Sequence, residues 1–108
     1  MVLTLLDGLY PDNIGRRVAI VGNGTVNLTT YTNTVGDTVT LNNPRIYIDV
    51  LFGGFSTDGT FYAVAGPAGS GVRQTWKLYY YTAAGAQVTT ASQVNGKIFQ
   101  LGGFGGSF

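Results

Sequence analysis

Apolar side chains along this chain recur at every second position, and a 3.6-residue helical period is almost nowhere present. In "RIYIDVLF", Ile46, Ile48, Val50 and Phe52 share one parity, and Tyr47, Asp49 and Leu51 take the other. "VRQTWKLYYYT" repeats the pattern, with Val72, Trp76, Leu78 and Tyr80 on one side and Arg73, Thr75, Lys77, Tyr79 and Tyr81 on the other. "DTVTL" sets Val39 and Leu41 inward, and "TVNLTTYTNT" reads as a half-buried strand in which Val26 and Leu28 alternate with threonine and asparagine. "RRVAIV" (residues 16–21), "TFYAVA", "QVTTA" and "KIFQL" supply the remaining strand candidates. Turn words separate them: "GNG" at 22–24, "NNP" at 42–44, "TDG" at 57–59, "GPAGSG" at 66–71, "AAGA" at 83–86 and "NG" at 95–96. Seven or eight short antiparallel strands at this spacing predict an all-β domain, a single β-sandwich or small barrel.

The ends of the chain break the pattern. Residues 1–15, interrupted by Pro11, read as an N-terminal arm, residues 16–101 as the β core, and residues 102–108 as a glycine and phenylalanine tail. The tail lies within "LGGFGGSF", which carries no charge, and the same "GGF" word recurs in "LFGGF" at 51–55. Each ring contributes about 1.5–3 kcal/mol if a pocket receives it, so Phe104 and Phe108 are expected to dock on a neighbouring subunit. On that reading, removing Gly102–Phe108 leaves the domain folded. The expected partner-binding set is Leu5, Leu6, Leu9 and Tyr10 from the first arm, Tyr79 and Tyr81 from a strand face, and Phe104 and Phe108 from the tail.

Charge sharpens this picture. Only 10% of the 108 residues are charged and the net charge is +1, against 44% hydrophobic residues. Such a chain folds, but it presents an uncharged surface of Thr, Asn, Ser and Gln with few devices against self-association. A net charge of +1 argues against nucleic acid, although Arg73, Lys77, Tyr79 and Tyr81 share a face. The opening "MVLTLLDGLYPD" has no basic lead and its apolar run stops at Asp7, so it does not read as a signal peptide. No stretch approaches the length of a membrane helix, and the chain is expected to be made and folded in the cytoplasm.

Catalytic parts are scarce. His, Cys and Glu are absent, which removes the usual general base, the thiol nucleophile and most transition-metal ligand sets, and leaves five Asp as the carboxylates. Asp49 and Asp58 are the one pair that could flank a cleft, but Asp58 sits in a "TDG" turn where its side chain caps backbone. "VAIVGNG" runs into strand-like sequence instead of a helix, so it is no dinucleotide site. No catalytic residue, cofactor or metal is expected. Trp76, alternating with apolar residues, reads as a core anchor.

The "MVLTLLDGLYPDN" arm, the Thr- and Asn-rich strands from "TVNLTTYTNT" to "QVTTASQ", and the "LGGFGGSF" tail together resemble the small virion accessory proteins of tailed bacteriophages, in particular capsid decoration (cement) proteins. That resemblance implies a non-enzymatic structural protein, made in the host cytoplasm and located in the virion. Its partners would be the major capsid protein and copies of itself, a trimer being favoured, with no nucleic acid or membrane involved. The alternatives are a carbohydrate-binding, lectin-like module using Trp76 and the Tyr79–Tyr81 run on a glycan, and a phage tail or baseplate subunit.

Overall fold

The computed structural model describes residues 1–5, 13–14, 17–27, 31–43, 45–67 and 75–107. The strands are β1 (Val2–Leu5), β2 (Asn13–Ile14), β3 (Arg17–Thr25), β4 (Asp37–Leu41), β5 (Ile46–Ser56), β6 (Phe61–Pro67), β7 (Trp76–Thr82) and β8 (Ile98–Ser107), with one 3-10 turn at Ala91–Gln93. They pair in the order β1-β4-β7-β6-β5-β8-β3, and β1 pairs with β3 to close a seven-stranded barrel, while β2 adds to β3 outside the ring. Among the described residues every pairing is antiparallel except β1 with β4, so the barrel is mixed. The all-β expectation holds, and of its two forms the barrel is the one observed.

Both ends of the chain are staves of this barrel. Leu3, on β1, is fully buried, and its neighbours pair on one side with Gly22–Gly24 and on the other with Thr40 and Leu41. The expected N-terminal arm therefore begins as a strand, because Leu3 faces the core and both backbone edges find partners. The expected tail is corrected more sharply: β8 runs to Ser107 and lies between β5 and β3. Its glycines remove side-chain bulk where strands crowd. A Cβ on Gly103 would run into the Val50 carbonyl, and one on Gly105 into that of Tyr47. "LFGGF" and "LGGFGG" are thus the two sides of one seam, with Gly53 opposite Gly102 and Leu51 opposite Gly103.

Within β5 the expected alternation fails half-way. Ile46 and Ile48 point in, but register shifts between Ile48 and Val50 and again between Leu51 and Gly53 change the parity twice. Each shift is a bulge, an extra residue that turns the side chains after it to the other face. Leu51 becomes buried at 3% exposure while Phe52 is turned out at 63%. Gly53, at φ +95°, supplies a left-handed backbone that an L side chain rarely adopts.

Two predicted strands are not strands over their described residues. Of "TVNLTTYTNT", Val26 and Asn27 leave the sheet after Thr25, Thr32 makes an isolated bridge and a turn follows at Asn33–Val35, while Leu28, Thr29 and Thr30 lie outside the described residues. "QVTTA" makes isolated bridges, Tyr81 to Gln87 and Thr32 to Thr90, before the 3-10 turn. Both serve the core with side chains instead of ladders: Val26, Tyr31, Val88 and Val94 are all buried. Gln93 Oε1 accepts the backbone N–H groups of Thr89 (3.1 Å) and Thr90 (3.3 Å), which satisfies donors that a strand would have paired. "GNG", expected as a turn, is the continuous second half of β3.

The β5–β6 turn and the inner face of β7 stand as expected, while "GPAGSG" begins inside β6 and its residues 68–71 lie outside the described residues. The Ser56–Thr60 hairpin joins β5 to β6, with Asp58 accepting from Ser56 Oγ (2.7 Å), the Thr60 N–H (3.1 Å) and Thr60 Oγ1 (2.7 Å). Along β7, Trp76, Leu78 and Tyr80 are buried and Lys77, Tyr79 and Tyr81 lie on the outer face, half-buried. Val72 and Arg73, from the same predicted strand, lie outside the described residues.

Candidate binding face

The outer surface of β8-β5-β6-β7 gathers the exposed rings. The register sets Phe55 beside both Gln100 and Tyr62, and Tyr62 beside Tyr81, so one row of side chains crosses four strands. Tyr62 and Tyr81 stack with centroids 5.2 Å apart and planes 10° from parallel, and Phe55 leans on Tyr62 at 6.0 Å. A second row pairs Val64 with Tyr79. At the far side Val50 stands opposite Phe104, whose ring meets Phe52 edge-on at 5.7 Å. None of these side chains is charged. Phe52 and Phe55 are 63% and 65% exposed, and Val50 and Val64 36% and 45%.

The two β5 bulges create this face. Without the first, Val50 would follow Ile48 into the barrel; with it, Val50 and Phe52 turn out and Leu51 takes the inner place. The second bulge keeps Phe55 outside while Ser56, buried, points in beside Phe99. Large apolar side chains held in the open across neighbouring strands form an exposed patch of the kind that interaction surfaces carry.

Of the residues expected to bind a partner, Tyr79, Tyr81 and Phe104 come together here. Leu5 does not: it ends β1, on the opposite wall, half-buried and packed against the core. Leu6, Leu9, Tyr10 and Phe108 lie outside the described residues. Phe52, Phe55, Tyr62, Val50 and Val64 escaped sequence reasoning, because period-two parity put Val50 and Phe52 inside. The glycine pair following Phe52 was the available signal of a bulge.

Trp76 is 7% exposed, with its indole N–H donating to the Ile48 carbonyl at 3.4 Å. It is the core anchor expected, and it cannot serve as the sugar platform of the lectin-like alternative. Tyr80 is likewise fully buried, so the Tyr79–Tyr81 run offers its first and third rings only. A cleft of about 360 Å³ lies between β4 and the start of β5, with Trp76, Tyr47 and Thr38 in its walls. A groove of about 650 Å³ crosses β1, β3 and β8 past Thr4, Asn23 and Ile98. No carboxylate, amine or guanidinium lines either among the described residues.

Among the described residues the carboxylates are engaged in structure. Asp58 receives Lys97 Nζ at 2.6 Å, and this contact, aided by Thr60 and Ser56, holds its carboxyl far below the usual range. Asp49 lies in β5 and Asp58 in the turn beyond its end, so the strand separates the one pair considered for catalysis. Asp37 is 3% exposed, with its oxygens taken by the chain's ammonium group and by Tyr80. No group of three or more metal-ligating acids occurs among the described residues, and no helix there is long and apolar enough to cross a membrane. Neither a protein-family model, nor a curated protein, nor a solved structure matches the chain.

Proposed function

We propose that this protein is a non-enzymatic structural subunit of a virus particle, a decoration protein that lays the aromatic face of β8-β5-β6-β7 on the outside of the shell. The observation that carries the reading is the face itself: eight uncharged apolar or aromatic side chains on four adjoining strands, beside Lys77 of the same β7 face, with Phe52 and Phe55 more than half exposed. The low charge of the chain supports it, since a surface with few like-charge barriers packs readily against protein. A rigid closed sheet also suits the role, because a preformed face gives up little conformational entropy on docking.

The test is co-assembly. The chain is co-expressed with a tailed-bacteriophage major capsid protein, particles are pelleted, and occupancy is read for the natural chain and for Phe52→Ser/Phe55→Ser. Stoichiometric occupancy of the natural chain, lowered at least tenfold in the variant at unchanged melting temperature, is the expected result. Failure of the natural chain to bind particles, with selective glycan binding by the isolated domain, would replace this reading with the carbohydrate-binding one.

A further inference from the structure

Beyond β8 the outer wall of the barrel changes from rings to amides and hydroxyls. The register sets Thr4 of β1 beside Asn23 of β3 and, in the next outward row, Thr25 of β3 beside Ile98 of β8. With Val2 and Asn27 these side chains line the groove of about 650 Å³. All are exposed except Asn23, which is half-buried. Its Oδ1 is enclosed and accepts no hydrogen bond, the one such side-chain atom among the described residues. An enclosed amide oxygen left unpaired costs stability, and folded chains satisfy nearly all of theirs. The ladders to Thr4 and Gln100 already place the β3 backbone at this point, so the amide is not needed to hold the strand.

We infer that the groove over β1, β3 and β8 is a binding site for an uncharged carbohydrate, with Asn23 as the residue that reads its hydroxyls. The ligand class follows from the lining. A sugar hydroxyl both donates and accepts, and amides and threonine hydroxyls do the same, so Thr4, Asn23, Thr25 and Asn27 can each serve either half of such a bond. Neighbouring strands stand about 4.8 Å apart and same-face residues about 7 Å apart along a strand, which spaces these groups on the scale of one sugar ring. Val2 and Ile98, both exposed, offer apolar surface to the C–H faces of that ring. No cation lines the groove among the described residues, so a phosphate, sulfate or carboxylate on the ligand would lose water without gaining a counter-charge. A half-turn about the last torsion of Asn23 brings its orphaned oxygen towards the groove, where a ligand O–H satisfies it. No residue of the groove belongs to the aromatic face, so sugar binding here is independent of the shell contact.

The experiment titrates the isotopically labelled chain with maltotetraose, cellotetraose and mannotetraose, and with a sulfated chondroitin tetrasaccharide as the charged control. The side-chain amide signals of Asn23 and Asn27 are followed by NMR. At least one neutral sugar is expected to shift both signals saturably, and the sulfated one to leave them in place. Asn23→Leu and Thr25→Val are each expected to weaken that binding by about tenfold. Because the enclosed oxygen has no partner to lose, Asn23→Leu should melt no more than about 2 °C below the parent. Phe52→Ser/Phe55→Ser is expected to bind the sugar as the natural chain does. Signals unmoved by every neutral sugar would overturn the inference, and a fall in particle occupancy of Asn23→Leu would then assign the groove to the shell protein. Equal binding of the sulfated sugar would overturn it too. So would sugar binding kept by Asn23→Leu and lost in Phe52→Ser/Phe55→Ser, which would move the site to the aromatic face. Asn23→Leu melting far below the parent, with Thr25→Val binding sugar undiminished, would make Asn23 a structural residue and overturn it as well.

Discussion

The two seams of the barrel use opposite chemistry. Between β5 and β8 the join runs from Ile46 opposite Ser107 to Ser56 opposite Phe99, and bare glycine backbone lets the strands crowd. Between β1 and β4 the ladder is two pairs long, and an ion pair, the Met1 carbonyl and a tyrosine hydroxyl fasten it. The long seam is held by its ladder and by an inner row of Ile46, Ile48, Leu51, Phe99 and Leu101, and it turns Phe52, Phe55 and Phe104 outward. The short seam draws its charge inward because it has too few backbone hydrogen bonds to hold by itself. In this chain, side-chain chemistry is free for an outer surface where the ladder is long and is consumed internally where it is short.

The contrast breaks most completely at the glycine seam. Removing Gly102–Phe108 takes the partners of Ile46–Gly53 and of Val18–Val21, and is expected to abolish cooperative unfolding and leave a chain without a stable β spectrum by circular dichroism. A truncated chain that melts like the parent would place those residues outside the barrel.

Next comes the carboxylate at the short seam. Asp37→Ala strands the ammonium and frees the Tyr80 hydroxyl, and is expected to cost about 3–5 kcal/mol in urea unfolding, as for one partner of a buried pair. Tyr80→Phe removes the neutral half of that network and is expected to cost about 2 kcal/mol at neutral pH. It also alters the alkaline limb. Burial, with Asp37 second, pushes the Tyr80 phenol far above its ordinary value of about 10, and burial raises Tyr31 in the same sense. The folded state therefore keeps a proton that the unfolded chain surrenders above pH 10. Stability owed to neutral Tyr80 is complete below that pH and lost as pH climbs beyond it. The natural chain should weaken steeply there, and the Phe variant less steeply.

The smallest effect on stability belongs to the exposed rings. Phe52→Ser with Phe55→Ser should shift unfolding by about 0.5 kcal/mol or less, while reducing particle occupancy. A large loss of stability would mean that these rings hold the fold together instead of facing a partner.

The sequence discloses strand content and several staves plainly. β7 is legible because Trp76, Leu78 and Tyr80 alternate with polar and half-exposed residues without a bulge, and the β5–β6 hairpin because Asp58-Gly59 has one favoured use. Glycine misleads twice. Gly22 and Gly24 read as punctuation, yet here the missing Cβ admits the Thr4 carbonyl and the Met1 thioether while the strand continues. Gly102–Gly106 read as an arm for the same reason. Thr-rich segments also mislead, because β-branched composition cannot distinguish a strand from a capping loop whose threonines bind their own backbone. The outer face stayed hidden behind two bulges that alternation does not register. Asp37 was within reach, since it shares parity with Val39 and Leu41, and a carboxylate on an apolar face demands a buried partner.

The placement of β8 has a kinetic consequence. Its partners on β3 lie between 73 residues (Thr25 to Ile98) and 87 residues (Val18 to Gly105) earlier in the chain. Until β8 has been synthesised, β3 and β5 wait with a backbone edge each unsatisfied, and no local hairpin can relieve them. Pairings of such high sequence separation fold on the millisecond-to-second scale, far behind local turns. During that interval the nascent chain is most open to pairing with its neighbours on the ribosome.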